Sequence, residues 1–395
     1  MPLKPSEILQ ALDQKQTEFQ DFHQTTLKVL EKYRKALSKV AQQPDAEITK
    51  ALIDHHNPGG RPLEALGDSP NWIIPSKLKW SSREQSLEWV RERLMGITTF
   101  AVDGSQVYPS KDISIPIGMV QVGWFENPHL PLGSYDKDVR LEVLSPEDLK
   151  PQDRSTPMDR LVNMHRFRME IQRMIEFMES HTNRSDCLVF LDGSLVATFA
   201  EKFDAECRRF YVQQLVELLQ ASEKFRVPLV AYIDTSRARD LVQLLHCLKR
   251  LPEAPSLNDA AFLGVNMDWG DRTPIFKCDR KGENSHQGIL QDYGDQADSI
   301  AFTYLKTHEG PPARIEMPIW IYEAGLHSTV LDFVRGEVII GGGYPYVIET
   351  ADRVAVLQAE DRQIFFRLLQ EWAEKEEINL RFSRKMISKV LRRGN

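Results

Sequence analysis

Several chemistries are excluded by what the chain lacks. It has four cysteines, Cys187, Cys207, Cys247 and Cys278, far apart and without a CxxC pair. That argues against a zinc ribbon or a disulfide framework and predicts reduced thiols in the core. No apolar run reaches the roughly 18 residues a membrane helix needs. The opening MPLKPSEILQ lacks the basic-then-apolar order of a signal peptide, so a cytoplasmic protein is expected. Net positive charge is also missing: the formal charge is -7 at pH 7. Nucleic-acid binders are more often basic, yet an enzyme that gathers carboxylates around divalent metals adds negative charge locally while a basic stripe elsewhere meets the phosphates. The C-terminal RFSRKMISKVLRRGN is one such stripe, its alternative being a solvated amphipathic tail. Repeats and low-complexity tracts are absent.

What is present suits a large core: 42% of the 395 residues are hydrophobic, enough for one elaborated domain or two closely packed ones. From Pro5 to about Val40, Ile8, Leu12, Phe19, Phe22, Leu27, Leu30 and Leu37 recur at helical spacing among polar residues. The pattern predicts one long amphipathic helix whose stripe has no obvious internal partner, and therefore a homodimer. Residues Asn57 to Pro75, rich in Gly and Pro, read as a linker or wrapping loop. The strand ITTFAVDGS and the run ISIPIGMVQVGWF, separated by YPSKD, predict an antiparallel hairpin. Next come a helix (MDRLVNMHRFRMEIQRMIEFMES), a strand (CLVFLDGS), a helix (ECRRFYVQQLVELLQASEKF) and a strand (PLVAYIDTS). That alternation predicts parallel pairing. From Pro252 to about Leu326 the pattern is irregular, with WGDRTPIFKCDRKGENSHQ as a polar excursion able to cover a groove; DRQIFFRLLQEWAEK is a final helix.

Three of the expected strands end on an aspartate: Asp103, Asp192 and Asp234. In open α/β sheets such ends line the crevice where ligands bind. The helix before Asp192 adds a fourth acid. Its apolar stripe of Met164, Phe167, Ile171, Met174 and Met178 places Glu170 on the border facing the sheet and Glu176 nearly opposite. A half-buried Glu needs a partner, either a metal or Arg166 or Arg173 at the rim. Converging carboxylates without His or Cys favour Mg²⁺ or Mn²⁺ over zinc. Two such ions hydrolyse phosphodiesters using acids from several elements, so nucleic-acid hydrolysis is the expected reaction.

The segments AVDGS, LDGSL and GYPYVIETAD resemble the motifs of the NurA nuclease family, over about Trp80 to Trp372. The resemblance implies an α/β fold with a ribonuclease H-like mixed sheet flanked by helices, here with a long N-terminal helix and an irregular insertion. It implies a homodimer that uses manganese and processes DNA ends with a hexameric HerA translocase. It makes Asp103 and Asp192 metal ligands, matches Glu170 to the family's helical glutamate, and adds Tyr344 of the GYP motif. Two departures stand out. The family's His eight residues after that Tyr is Asp352 here, read as a substitute hard-metal ligand or, alternatively, as the cap of the next helix. Where some relatives carry Lys, this chain reads YIDTSRARD, with Asp234, Arg237 and Arg239.

The implied organisation is residues 1–79 for dimerisation, 80–372 as nuclease domain with an insertion at about 252–326, and a basic tail at 373–395. Phosphate contacts are expected from Arg208, Arg209, Arg237, Arg239, Arg272, Arg280 and Lys281, with Trp269 and Tyr293 stacking on unpaired bases. The expected activity is exo- and endonucleolytic, with single-stranded DNA favoured, in end resection and double-strand break repair. Two alternatives remain: an actin-like or sugar-kinase-like ATPase whose DGS, DTS and GGG loops cradle phosphates, and a catalytically weakened relative kept as a DNA-binding scaffold.

Overall fold

The computed structural model describes residues 4–55, 57–66, 69–151, 156–280, 282–283 and 286–383. Lys281 and residues 384–395, most of the basic tail, lie outside them. The chain forms two compact units: Lys79–Tyr232 with Gln291–Ile300 and Glu316–Asn395, and Met1–Leu78 with Ile233–Leu290 and Ala301–Ile315.

In the first and larger unit, α1 (Arg83–Leu94) leads into β1 (Thr98–Val107), β2 (Gly118–Asn127) and β3 (Asp136–Leu144). Then follow α2 (Met158–Ser180), β4 (Cys187–Asp192), α3 (Ala205–Phe225) and β5 (Leu229–Ile233). The strand order is β3-β2-β1-β4-β5. Short connections make β1, β2 and β3 an antiparallel meander, while helical crossovers lay β4 and β5 parallel to β1. This is the mixed, helix-flanked sheet that the motifs implied, with the expected hairpin and parallel pairs. The second strand starts only at Gly118, because Pro116 just before it has no amide to give the ladder.

Successive strand residues point to opposite faces. One face carries Phe100, which stacks on Phe177 of α2 with centroids 4.2 Å apart. The other receives α5 (Tyr346–Ala355), which follows α4 (His327–Ile340) and precedes α6 (Ala359–Lys375). Gly123 makes that approach possible: a Cβ there would stand 2.7 Å from the Ala355 nitrogen. Gly123 is directly opposite Asp103 in the ladder, so this glycine brings α5 to the row containing Asp103. The exposed strand β3 and α6 border an apolar groove of about 1010 Å³ lined by residues including Val139, Leu141, Leu368 and Trp372.

The smaller unit departs from the sequence reading. The expected single helix is two, Pro5–Asp13 and Gln16–Val40. Its stripe is divided: Phe19 and Phe22 are 59% and 64% exposed, whereas Leu37 is buried; nearby Tyr33, outside the stripe, is buried too, and its hydroxyl donates to the Pro252 carbonyl at 2.7 Å. The presumed linker contains a strand, Gly59–Pro62, paired antiparallel with Phe276–Asp279. The stretch expected to be irregular holds that strand together with Ile300–Leu305 and Ala313–Pro318, both buried throughout. Its charges misled because they are paired internally, as Arg272 with Glu64 and Arg280 with Asp240. Among the described residues no helix is long and apolar enough to cross a membrane.

Candidate active site

Asp103 does not end its strand, contrary to the sequence reading. β1 runs on to Val107 against β2, but its parallel pairing with β4 stops at Ala101 and Phe190. Beyond that point β1 has lost its parallel neighbour, and the gap faces the end of β4. Asp192 is the last residue of β4, and Gly193 turns the chain away at φ 139°, a conformation that favours glycine.

Glu170 enters from α2. At Gly104 a Cβ would collide with Glu170 Oε1 and stand 2.6 Å from Arg166 Cγ. The bare backbone of AVDGS is what lets α2 lay both side chains against β1. Burial pushes the Glu170 carboxyl up to about 7; the Arg166 guanidinium opposes the rise, and the Asp103 and Asp192 charges add to it. Burial likewise raises Asp103 to about 6, against the Gly104 amide that donates to it at 2.7 Å and with the help of the neighbouring Asp352 carboxyl. These four acids are therefore electrostatically linked. Glu170 Oε1 is buried without a hydrogen-bond partner, and the nearest Arg166 nitrogen, Nη1, is 3.6 Å away. Arg173, the other rim partner weighed for it, instead lies over the rings of Phe100 and Trp124.

Such a set suits a hard cation in its chemistry: oxygen donors alone, two of them, Asp103 and Glu170, with raised proton affinity, and Glu170 Oε1 lacking any N–H or O–H donor. Among the described residues no group of three His, Cys, Asp or Glu side chains is placed to hold a metal ion. The fit is one of donor chemistry.

Asp352 sits inside α5, where its carbonyl accepts from the Val356 amide. The cap of α6 is Gln358, in a capping box with Asp361, so the capping role considered for Asp352 does not hold. The Tyr344 hydroxyl donates to Asp192 Oδ1 at 2.9 Å, and its ring meets Tyr232 edge-on. The three glycines before it close α4: the Gly341 and Gly343 amides donate at 2.9 Å to the carbonyls of Glu337 and Val338. They form a helix terminus, which takes the adenosine loop away from the kinase-like alternative.

Two buried acids beside the site escaped the sequence reading. Glu316 accepts from the Ser194 hydroxyl at 2.8 Å and the Leu195 amide at 2.7 Å, pinning the loop after Asp192. Glu337 accepts from the Thr99 hydroxyl at 2.7 Å and the Val347 amide at 2.9 Å, tying β1 to the first turn of α5. Their one signal was an acid inside an apolar run, RIEMPIW and FVRGEVII.

The expected DNA contacts fare unevenly. Arg280 and Arg272 are structural cations, bound to Asp240 and Glu64, and Arg208 is paired with Asp292 at 2.6 Å. Tyr293 is 2% exposed; its hydroxyl donates to the Leu195 carbonyl and accepts from the Ala197 amide, so it supports a loop and is closed to bases. Trp269 is half-buried and donates to the Thr307 carbonyl. Arg209, Arg237 and Arg239 are exposed, and Lys281 lies outside the described residues. Asp234, in the smaller unit, has its carboxylate 3.0 Å from His308 Nε2.

No curated protein compared with the chain matches it. Among solved structures it is similar to endonuclease V from Bacillus subtilis, at 10% identity and a TM-score of 0.29, covering 77% of this chain and 97% of that one. The catalytic domain of human endonuclease V is similar at 11% identity and a TM-score of 0.31, covering 78% and 92%. The NurA domain matches residues 97–357, which include Asp103, Glu170, Asp192, Tyr344 and Asp352. That match spans more than half of the sequence, and the chain belongs to the NurA nuclease family.

Proposed function

We propose that the chain is a divalent-metal-dependent DNA nuclease, exo- and endonucleolytic with single-stranded DNA favoured, acting in end resection and double-strand break repair. One observation carries the proposal: Glu170, a buried carboxylate with an unpartnered oxygen, is set among the charges of Asp103 and Asp192. Left unpaired, that arrangement is costly; a cation of two positive charges makes it favourable. In this reading Asp103, Glu170, Asp192 and Asp352 hold Mn²⁺ or Mg²⁺, and the ion supplies activation of water and stabilisation of the leaving oxygen. Tyr344 orients Asp192, while Glu316 and Tyr293 keep the loop behind it in place. The exposed Arg209, Arg237 and Arg239 are the remaining choices for backbone contacts.

The homodimer belongs to the same proposal. Exposed Phe19 and Phe22 on the N-terminal helix, and separately the apolar groove beside β3, are surfaces that association would cover. A HerA-like hexameric ATPase as partner follows from the family reading alone, and a cytoplasmic location from the sequence lacking signal-peptide order in MPLKPSEILQ. The deciding experiment incubates end-labelled single-stranded and duplex DNA with the protein in Mn²⁺, in Mg²⁺ and in EDTA. Cleavage with either metal and none in EDTA is expected. Absence of cleavage with both metals removes the proposal and leaves the DNA-binding scaffold.

A further inference from the structure

We propose that Arg166 is a catalytic residue of this site, contacting the phosphate at which the chain is cut, and not only the ion-pair partner of Glu170. This rests on the nuclease reading above. An Arg four residues before a Glu on one helix ordinarily closes an ion pair. Here the pair is loose: Nη1 is at ion-pair distance, 3.6 Å from Glu170 Oε1, but makes no hydrogen bond to it, and Oε1 has no hydrogen-bond partner at all. Nη1 donates instead to the Gly104 carbonyl at 3.0 Å. Among the described residues that is the single hydrogen bond of a group with five N–H donors, and Nε is buried without a partner.

The contrast with Arg280 is direct. Arg280 spends Nε and Nη2 on Asp240, both at 2.5 Å, as a structural arginine does. Arg166 is held by its stem, packed where Gly104 lacks a Cβ, and its side chain is 31% exposed. It is a guanidinium fixed at one end beside the carboxylates of Glu170 and Asp103, with most of its donors unspent. A planar fork of N–H groups suits a phosphate, which presents paired oxygens. Without cations the carboxylates of Asp103 and Glu170 draw on the Arg166 charge. Once cations neutralise them, the fork is available to the phosphodiester of a DNA strand lying across the Asp103 row.

The test uses the full chain with Arg166→Met, which keeps the stem, and Arg166→Lys, which keeps the charge but not the fork. Mn²⁺ binding is measured by calorimetry without DNA, cleavage of end-labelled single-stranded DNA at saturating Mn²⁺, and folding by thermal unfolding. We expect kcat to fall roughly 10²- to 10³-fold in Arg166→Met, with partial recovery in Arg166→Lys. The Mn²⁺ dissociation constant should be unchanged or tighter in Arg166→Met, because a competing cation has been removed. Mn²⁺ binding weakened tenfold or more, with cleavage restored by excess Mn²⁺, overturns the proposal, since Arg166 then only holds Glu170. Wild-type cleavage in Arg166→Lys or Arg166→Met also overturns it. If Arg166→Met fails to fold, the kcat and Mn²⁺ affinity of Arg166→Lys decide. A wild-type chain that cuts no DNA in Mn²⁺ or Mg²⁺ is a different result: it removes the nuclease reading itself.

Discussion

Two clusters of buried charge, one in each unit, are built from the same residue types and behave in opposite ways. In the smaller unit Asp240 is 2% exposed at its side chain and receives Arg280 through Nε and Nη2 and Arg314 through Nη1, at 2.5 to 2.6 Å. Burial pushes its carboxyl up, but Arg280 and Arg314 outweigh burial and hold it below the usual carboxylate range. In the larger unit Glu170 is nearly as enclosed, with its side chain 11% exposed, yet rises to about 7. Enclosure is common to both; donors are not. A charge whose partners come from the chain fixes the fold, and a charge left without them is a position prepared for something the chain does not supply.

The largest effect expected is on the second cluster's chemistry. Asp103→Ala and Asp192→Ala should each reduce cleavage to background while the circular dichroism spectrum stays that of the wild type, because no other side chain supplies those oxygens. Cleavage near the wild-type rate by either variant would remove that residue from the site. Next in size is the first cluster. Asp240→Asn leaves two buried guanidinium groups short of their counter-charge, so unfolding in urea should show a loss of about 3–5 kcal/mol. A loss under 1 kcal/mol would mean that the cluster is no more than decoration.

Glu170→Gln should move stability the other way. A neutral amide of the same shape relieves a buried charge that has no hydrogen-bond donor at Oε1, so the metal-free variant should be more stable than wild type by about 1 kcal/mol, as removal of strained site groups commonly is. Added Mn²⁺ should raise its melting temperature less than that of the wild type. If the metal-free variant melts lower, Glu170 is a satisfied structural group and the comparison fails.

The sequence disclosed one cluster and concealed the other for a physical reason. Glu170 was legible because helical periodicity alone sets which way it faces, and α2 runs over the very span that the Met and Phe stripe outlines. The hairpin and the parallel strands were legible through local alternation as well. The Asp240 cluster depends on partners 40 and 74 residues away, and Arg272 meets a glutamate 208 residues earlier. Seen one at a time, those charges made a buried region look like a polar loop. The strand-end argument for Asp103 is inexact: its strand continues, and it is the neighbouring strand that stops.

The smallest effect lies between the two clusters in character, at His129 in the larger unit. Its Nδ1 is 2.7 Å from the Ile97 carbonyl, and its Nε2 lies 3.1 Å from Glu337 Oε1 at ion-pair distance but outside hydrogen-bond geometry, so the charged ring is favoured by the Glu337 carboxylate. Burial works against the imidazolium, but Glu337 and the Ile97 carbonyl outweigh it and raise the pKa above its ordinary value of 6.5. A group whose folded pKa is raised stabilises fully below its unfolded pKa and loses that contribution as pH climbs through the folded one. His129 should therefore contribute on the order of 1 kcal/mol at pH 6, fading as pH rises above 6.5. The measurement is the difference in unfolding free energy between wild type and His129→Gln across pH 5.5 to 9. The difference should shrink steadily toward alkaline pH, since Gln keeps one donor at every pH while the imidazole keeps its second only when charged. A difference that grows with pH would mean that His129 is buried neutral, and that Glu337 holds α5 against β1 through Thr99 and Val347 alone.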